Sequence, residues 1–269
     1  MPDHPFFRGL RPTLHIAHRG GALLAPENTL VAFGAAVERY RTAVLETDVQ
    51  VSADGALVVF HDDTVDRCTD GAGRVDALDL AVLQRLDAGY RFTPDGGATF
   101  PFRGAGVRIP TLREALRAFP SLRFNIDFKP ASADAAGAFV DLLREEGAVE
   151  RVCIGSEHDE VGKALVRLLP EGCHFYPRDA LTAVVMALKL GAPPPADDPW
   201  LVLDMPLTYQ GMRLVDADFV RAATAYGRWV NVWTIDDEAE MRQLVQDGVG
   251  GVMTDRPDLL RRVLDERPA

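Results

Sequence analysis

The sequence predicts an α/β fold, a TIM (β/α)8 barrel with a small insertion after the second-strand hairpin, and three observations carry that expectation. Short apolar runs rich in β-branched and aromatic residues recur nine times along the chain. Segments with helical spacing lie between most of them, the pattern of βαβ units on a mostly parallel sheet. The chain has 269 residues, and a barrel of this kind takes about 250. The expected organisation is a single domain over residues 1–269 with the insertion at about 64–110.

The first run, LHIAH (14–18), ends on His18-Arg19 and is followed by Gly20-Gly21. A planar guanidinium and backbone N–H groups both suit phosphate oxygens, so this turn is a candidate anion site. NTLVAFGAAVERY then sets Leu30, Phe33, Val37 and Tyr40 at i, i+3, i+7 and i+10, with Pro26 and Asn28 as start signals. AVLETDVQV (43–51) and LVVFH (57–61) join through Asp54-Gly55 and read as a hairpin, which accounts for the ninth strand. With a two-residue loop, Ala53 pairs with Ala56 and Asp48 faces His61, with directly opposed side chains about 4.5–5.5 Å apart. Glu46 shares the face of Asp48 by the period of two. A longer turn would shift this register by one.

About sixty residues separate His61 from the next core strand. DALDLAVLQRLDAG is helical in pattern, with DALD as its start. YRFTPDGGATFPFRGAGVRIP is glycine-rich and carries Tyr90, Phe92, Phe100 and Phe102. Two readings of those aromatics stand open: a lid or headgroup wall at the barrel mouth, or packing of the insertion onto the barrel. LRFNIDFK (122–129) then puts Asp127 and Lys129 on one strand face and Ile126 and Phe128 on the other. RVCIGS (151–156), CHFYP (173–177), WLVLDM (200–205), WVNVWTI (229–235) and GVMT (251–254) complete the strands. DAAGAFVDLLREEG, LTAVVMALKLG and DEAEMRQLVQDG read as helices, the last two ending on glycine caps. GAPPPADDP (191–199) is a stiff loop, too short for a domain linker.

Composition narrows the function. Hydrophobic residues at 47% and charged residues at 26% suit an ordinary globular protein. The net charge of −11 argues against nucleic acid or an anionic membrane as the main partner. A phosphorylated small molecule remains open where local cations reverse the field. Cys68, Cys153 and Cys173 form no CxxC pair, which argues against a disulfide framework or a zinc site. No stretch reaches the ~18 apolar residues of a membrane span, so stable membrane insertion is not expected and a cytoplasmic location is. Oligomeric state is left open.

Acidic residues inside strands sharpen the picture. Glu46, Asp48 and Asp127 at strand ends of a parallel barrel would make an oxygen site suited to Mg²⁺ or Ca²⁺, on the face where such barrels hold their active sites. The plain alternatives are a strand face turned to solvent, and a salt bridge between Lys129 and one of the acids. Of six histidines, His4 sits in an expected tail, and His158 and His174 lack any motif. His15 points to the opposite face from His18 by parity. His18 and His61 both end strands, and as a pair beside a carboxylate cluster they suit general acid–base work.

HRG, PENTLVAF, ETDVQ, FHDD with RCTDGAGRV, NIDFKP, NVWTID and GVMTDRP, in that order, closely resemble the signature of the glycerophosphodiester phosphodiesterases. The resemblance covers nearly the whole chain. It implies a TIM barrel that uses one divalent metal ion (Mg²⁺ or Ca²⁺, with Mn²⁺ as a third option) to hydrolyse glycerophosphodiesters to glycerol 3-phosphate and an alcohol, in glycerol and lipid metabolism. It implies catalytic roles for His18 and His61, phosphate binding by Arg19 and Lys129, and a substrate-lining position for Trp233. It makes Glu46 and Asp48 metal ligands. The third ligand position is usually glutamate in the family; here it is Asp127, an oxygen donor of shorter reach. The implied route is attack by the glycerol 2-hydroxyl through a cyclic phosphate, and either histidine fits either proton role.

Three other functions stand beside this one. A lysophospholipase D-type hydrolase would share the scaffold and site. A non-catalytic barrel would bind phosphodiesters without turnover. A sugar-phosphate isomerase or aldolase would need an enolising base or Schiff-base lysine and leaves the histidine pair without a role.

Overall fold

The computed structural model describes residues 2–195 and 198–266. Strands and helices alternate from the first run onward: β1 (Leu14–Ala17), α1 (Leu30–Tyr40), β2 (Val44–Val51), β3 (Leu57–Val59), α2 (Leu80–Leu83), α3 (Leu112–Ala118) and β4 (Arg123–Phe128). There follow α4 (Ala136–Glu145), β5 (Val152–Gly155), α5 (Asp159–Leu168), β6 (Cys173–His174), α6 (Arg178–Lys189) and β7 (Val202–Pro206). The chain finishes with β8 (Thr208–Tyr209), β9 (Met212–Arg213), α7 (Ala217–Ala225), β10 (Trp229–Trp233), α8 (Glu238–Asp247), β11 (Gly251–Thr254) and α9 (Pro257–Asp265).

The main sheet runs β6-β5-β4-β2-β1-β11-β10-β7, and every neighbour on that path is parallel. A parallel bridge between Phe175 and Val202 brings the two ends together and closes the eight strands into a barrel. The expected (β/α)8 architecture is therefore the observed one. The pair β8–β9 is a small extra hairpin turned by Gln210-Gly211, both at positive φ. It went unseen in the sequence because two-residue strands leave no periodicity.

Two apolar shells lie between strands and helices. One joins Leu45, Val49, Phe124, Ile126 and Phe128 to Phe33 of α1, Leu112 and Leu116 of α3, and Phe139 and Leu143 of α4. The other packs Leu203, Met205, Val230, Val232 and Val252 under α6, α7, α8 and α9. A third cluster, Ile16, Cys153, Cys173, Trp229 and Met253, fills the barrel toward its strand N-termini. Phe6 and Phe7 cap it, with the Phe7 ring 4.9 Å from that of Trp229. Burying each such ring contributes about 1.5–3 kcal/mol, so the N-terminal segment is a plug rather than the expected tail. His4 takes part, its Nε2 bonded to the Glu171 carbonyl at 2.9 Å.

The β2–β3 hairpin departs from the expected register. Val49 pairs with Val59 and Val51 with Leu57, so Phe60, whose N–H donates to the Asp48 carbonyl, stands opposite Asp48. The cause is the turn. Ser52 pairs with Ala56 around three residues, Gly55 takes φ 81°, and the Ser52 hydroxyl accepts from Ala56 N–H. Asp-Gly marked the hairpin correctly, but a three-residue loop shifts pairing by one.

The insertion follows β3. Its helical part is shorter than its pattern, a 3-10 turn at Val75–Ala77 and the four residues of α2. It has its own core of Val65, Val75, Leu83, Val107 and Ile109, against which Phe102 packs. Phe92 meets Phe102 edge to face at 5.4 Å, and the Arg103 guanidinium lies over the rings of Tyr90 and Phe100. These ring contacts of the four aromatics are thus within the insertion itself. Two residues of the GAPPPADDP loop, 196 and 197, lie outside the described set.

Candidate active site

The site gathers at the C-terminal ends of the barrel strands. β1 runs into a 3-10 turn at His18–Gly20, in which Arg19 sits at φ 50°, a left-handed conformation uncommon for a side-chain-bearing residue. Two glycines make the turn feasible. A Cβ on Gly20 would stand 2.7 Å from Ala32 Cβ, and one on Gly21 2.7 Å from Pro257 Cγ. The turn is thereby wedged between α1 and α9, and it points Arg19 N–H at Glu46 Oε2, 2.8 Å away.

Glu46 and Asp48 project from β2 and are almost wholly buried. Asp48 Oδ1 holds Lys129 Nζ at 2.9 Å, while Oδ2 faces Arg19 Nε at 3.4 Å and accepts from Asn28 Nδ2 at 2.8 Å. Lys129 also donates to Asp127 Oδ2 at 2.6 Å. Burial would raise the Asp48 carboxyl, but Lys129, Arg19 and His61 hold it down at about 2. At Glu46, burial and the charge of Asp48 outweigh His18 and Arg19 and push its pKa up to about 7. Burial also raises Asp127, and its Oδ1 is buried without a hydrogen-bond partner.

The two histidines flank this cluster, and each is held by a carboxylate on the same ring nitrogen. His18 Nδ1 bonds Asp255 Oδ1 at 2.7 Å while Nε2 looks toward Glu46 Oε2 at 3.9 Å. Asp255 is itself fixed, its N–H donating to Asp236 Oδ1, which also accepts from the Thr254 hydroxyl. Burial opposes a charged His18, yet Glu46 and Asp255 raise its pKa above the usual value. His61 Nδ1 bonds Asp62 Oδ1 at 2.6 Å. Although His61 is not opposite Asp48 in the ladder, the chain leaves the strand after Val59 and the imidazole still acts on the Asp48 charge. Gln50 Nε2 pins this exit, donating to the carbonyls of His61 and Asp62. Trp233 ends β10 on the same rim and is 41% exposed.

The donor set suits a hard cation: three carboxylates, one with an orphaned buried oxygen and one short of compensating charge. As the side chains stand, the Lys129 ammonium lies between Asp48 and Asp127, and among the described residues no group of three His, Cys, Asp or Glu is gathered to enclose an ion.

A family model for the glycerophosphoryl diester phosphodiesterases matches residues 18–259. The chain belongs to that family. A glycerophosphodiester phosphodiesterase of Caldanaerobacter subterraneus subsp. tengcongensis is 33% identical, with 92% of this chain and 96% of that protein covered. Among solved structures, the glycerophosphoryl diester phosphodiesterase domain of a Mycobacterium tuberculosis protein matches at a TM-score of 0.83 and 25% identity, over 95% of this chain and 99% of that one. An Oleispira antarctica phosphodiesterase, solved in complex with the product sn-glycerol-3-phosphate, matches at 0.76 and 26%, over 95% and 98%.

Within the family motifs, several partners had no role in the sequence reading. Asn28 of PENT has the position of a helix start signal, but the cap of α1 is Thr29, whose hydroxyl accepts from Ala32 N–H. Asn28 sits at φ 57° and braces Asp48 instead, its own Oδ1 held by the Thr47 hydroxyl. Glu27 accepts from Arg19 Nη1 at 3.0 Å. Their adjacency to His18, Arg19 and His61 in the motifs was the signal available. One layer down, Asp204 is clamped by Asn125 and Asn231, and burial raises it to about 6.

Proposed function

We propose that this chain hydrolyses glycerophosphodiesters to glycerol 3-phosphate and an alcohol, with His18 and His61 as the acid–base pair. The observation that carries this reading is the symmetry of the two imidazoles. Each has Nδ1 on a carboxylate, Asp255 or Asp62, which leaves Nε2 free to exchange a proton with substrate. Arg19 and Lys129 both pair with Asp48, whose charge His61 also feels.

Phosphodiester cleavage builds charge on the non-bridging oxygens and on the leaving alkoxide. Arg19, fixed through its backbone by Glu46 and through its guanidinium by Glu27, would hold one phosphate oxygen. Lys129 would supply a second positive charge on moving from the carboxylates to the phosphate. One histidine would take the proton of the glycerol 2-hydroxyl as it attacks phosphorus and closes a cyclic phosphate, and the other would protonate the departing alcohol. The roles would reverse as water opens the ring. Glu46, Asp48 and Asp127 would hold a divalent cation, Mg²⁺ or Ca²⁺ with Mn²⁺ as the third option. Bound there, it would neutralise phosphoryl charge as a Lewis acid.

The test is product analysis by phosphorus NMR with glycerophosphocholine and metal-stripped protein, each cation being added back in turn. Cation-dependent appearance of glycerol 3-phosphate supports the reading. Cyclic glycerophosphate as the sole end product would remove the ring-opening step. No product with any cation would contradict the reading.

A further inference from the structure

Arg67 belongs to the loop that opens the insertion, but its guanidinium reaches back to the barrel mouth. Nε and Nη2 donate to Asp62 Oδ2 and Oδ1 at 2.6 and 2.9 Å. Nη1 and Nη2 donate to Glu27 Oε2 and Oε1 at 2.7 and 2.8 Å. Each carboxylate has a second partner: Asp62 Oδ1 holds His61 Nδ1, and Glu27 Oε1 holds Arg19 Nη1. An unbroken chain results, His61–Asp62–Arg67–Glu27–Arg19, linking the end of the β2–β3 hairpin to the turn after β1.

We propose that Arg67 is a positioning residue for both halves of the site, fixing the tautomer of His61 through Asp62 and the aim of Arg19 through Glu27. A planar fork with five N–H donors can serve two carboxylates bidentately at once, which a point ammonium cannot. Without it, two anionic side chains would face each other across the mouth with one partner apiece. Asp62 would be free to rotate away from His61, and Glu27 to draw Arg19 off the phosphate. Arg67 is 49% exposed, and ion pairs that open to water add little to folding stability. Its contribution is therefore geometric. This inference rests on the roles given above to His61 and Arg19.

The test uses the whole chain with Arg67→Met and Arg67→Lys. With glycerophosphocholine, kcat/KM should fall on the order of 10- to 100-fold, the cost of sub-ångström misplacement and of lost outer partners. The thermal midpoint should stay near that of the parent, and Arg67→Lys should recover only a small part of the rate. Adding Arg67→Met to the double variant Glu27→Gln/Asp62→Asn should cost nothing further.

A readout independent of turnover is the imidazole tautomer, read by long-range ¹H–¹⁵N correlation in mildly alkaline buffer. Arg67→Met should shift His61 away from the Nδ1–H form and leave His18, which relies on Asp255, unchanged. A parent protein without turnover would sink the functional reading while the spectra still decide the positioning role. Unchanged rate and unchanged His61 spectra would overturn the proposal. So would a large fall in thermal midpoint with the His61 tautomer intact, which would make Arg67 a latch for the insertion only.

Discussion

His15 on β1 and His18 in the turn after it sit in different surroundings, and the difference comes from what each ring touches. His18 has an anionic partner on one side and Glu46 on the other, so its charged form is favoured. His15 faces outward into α9, where Nε2 donates to the Pro257 carbonyl and Nδ1 meets the Thr42 hydroxyl. Burial drives its pKa down to about 4 from 6.5. Parity along β1 predicted this separation. Since the folded pKa lies below the unfolded one, the unfolded state takes up more protons between about pH 4 and 6.5. Stability is fully present above that window and is lost as pH falls through it, by about 3 kcal/mol. Denaturant midpoints at the two ends of the window should show the loss. His15→Gln, which cannot be charged, should show a clearly smaller loss; an equal loss would remove His15 as the cause.

Also at this scale, Asp255→Asn and Asp62→Asn keep the size of each carboxylate and remove its charge. Each should lower kcat by on the order of 10- to 100-fold through the imidazole it orients, with little change in KM. Steady-state kinetics on folded variants checks this; a rise in KM with kcat untouched would mean that these acids act on substrate binding instead. The histidines and Glu46, Asp48, Asp127 and Lys129 were legible because polar residues in apolar strands stand out. Asn28 was not, because an asparagine ahead of a helix looks like a cap, and only the fold shows Thr29 taking that role.

At the scale of elements, the turn after β1 depends on having no side chain at two successive positions. Gly20→Ala would bring a methyl within 2.7 Å of Ala32 Cβ in a left-handed backbone at φ 84°. Overpacking of this kind costs about 1–3 kcal/mol, with ~1 kcal/mol more for the dihedral. The variant should lower the denaturant midpoint accordingly and displace Arg19 with it; an unchanged midpoint would show that α1 yields to the methyl. The hairpin gives a contrasting lesson. Asp54-Gly55 identified it, yet register depends on loop length, which dipeptide composition does not encode. His61 still reaches the site because the strand stops at Val59 and Gln50 ties down the exit. His61 thus acts on Asp48 despite the shifted register, through a loop contact that periodicity does not reveal.

At the scale of the whole molecule, strand count, alternation and length were enough to predict a (β/α)8 barrel, and the closing bridge at Phe175–Val202 completes it. What they could not show was the N-terminal plug of Phe6 and Phe7, since a short proline-flanked segment carries no period. Among the described residues no helix is long and apolar enough to cross a membrane. Against a net charge of −11, Arg19 and Lys129 place two cations among the acids of the site, each beside Asp48.

The most direct test of the central claim compares glycerol 3-phosphate release from glycerophosphocholine by the parent protein, His18→Ala and His61→Ala, with folding of each confirmed by its thermal midpoint. The acid–base pair predicts release by the parent and a fall of at least about 100-fold in both variants. Either variant working at the parent rate would contradict it.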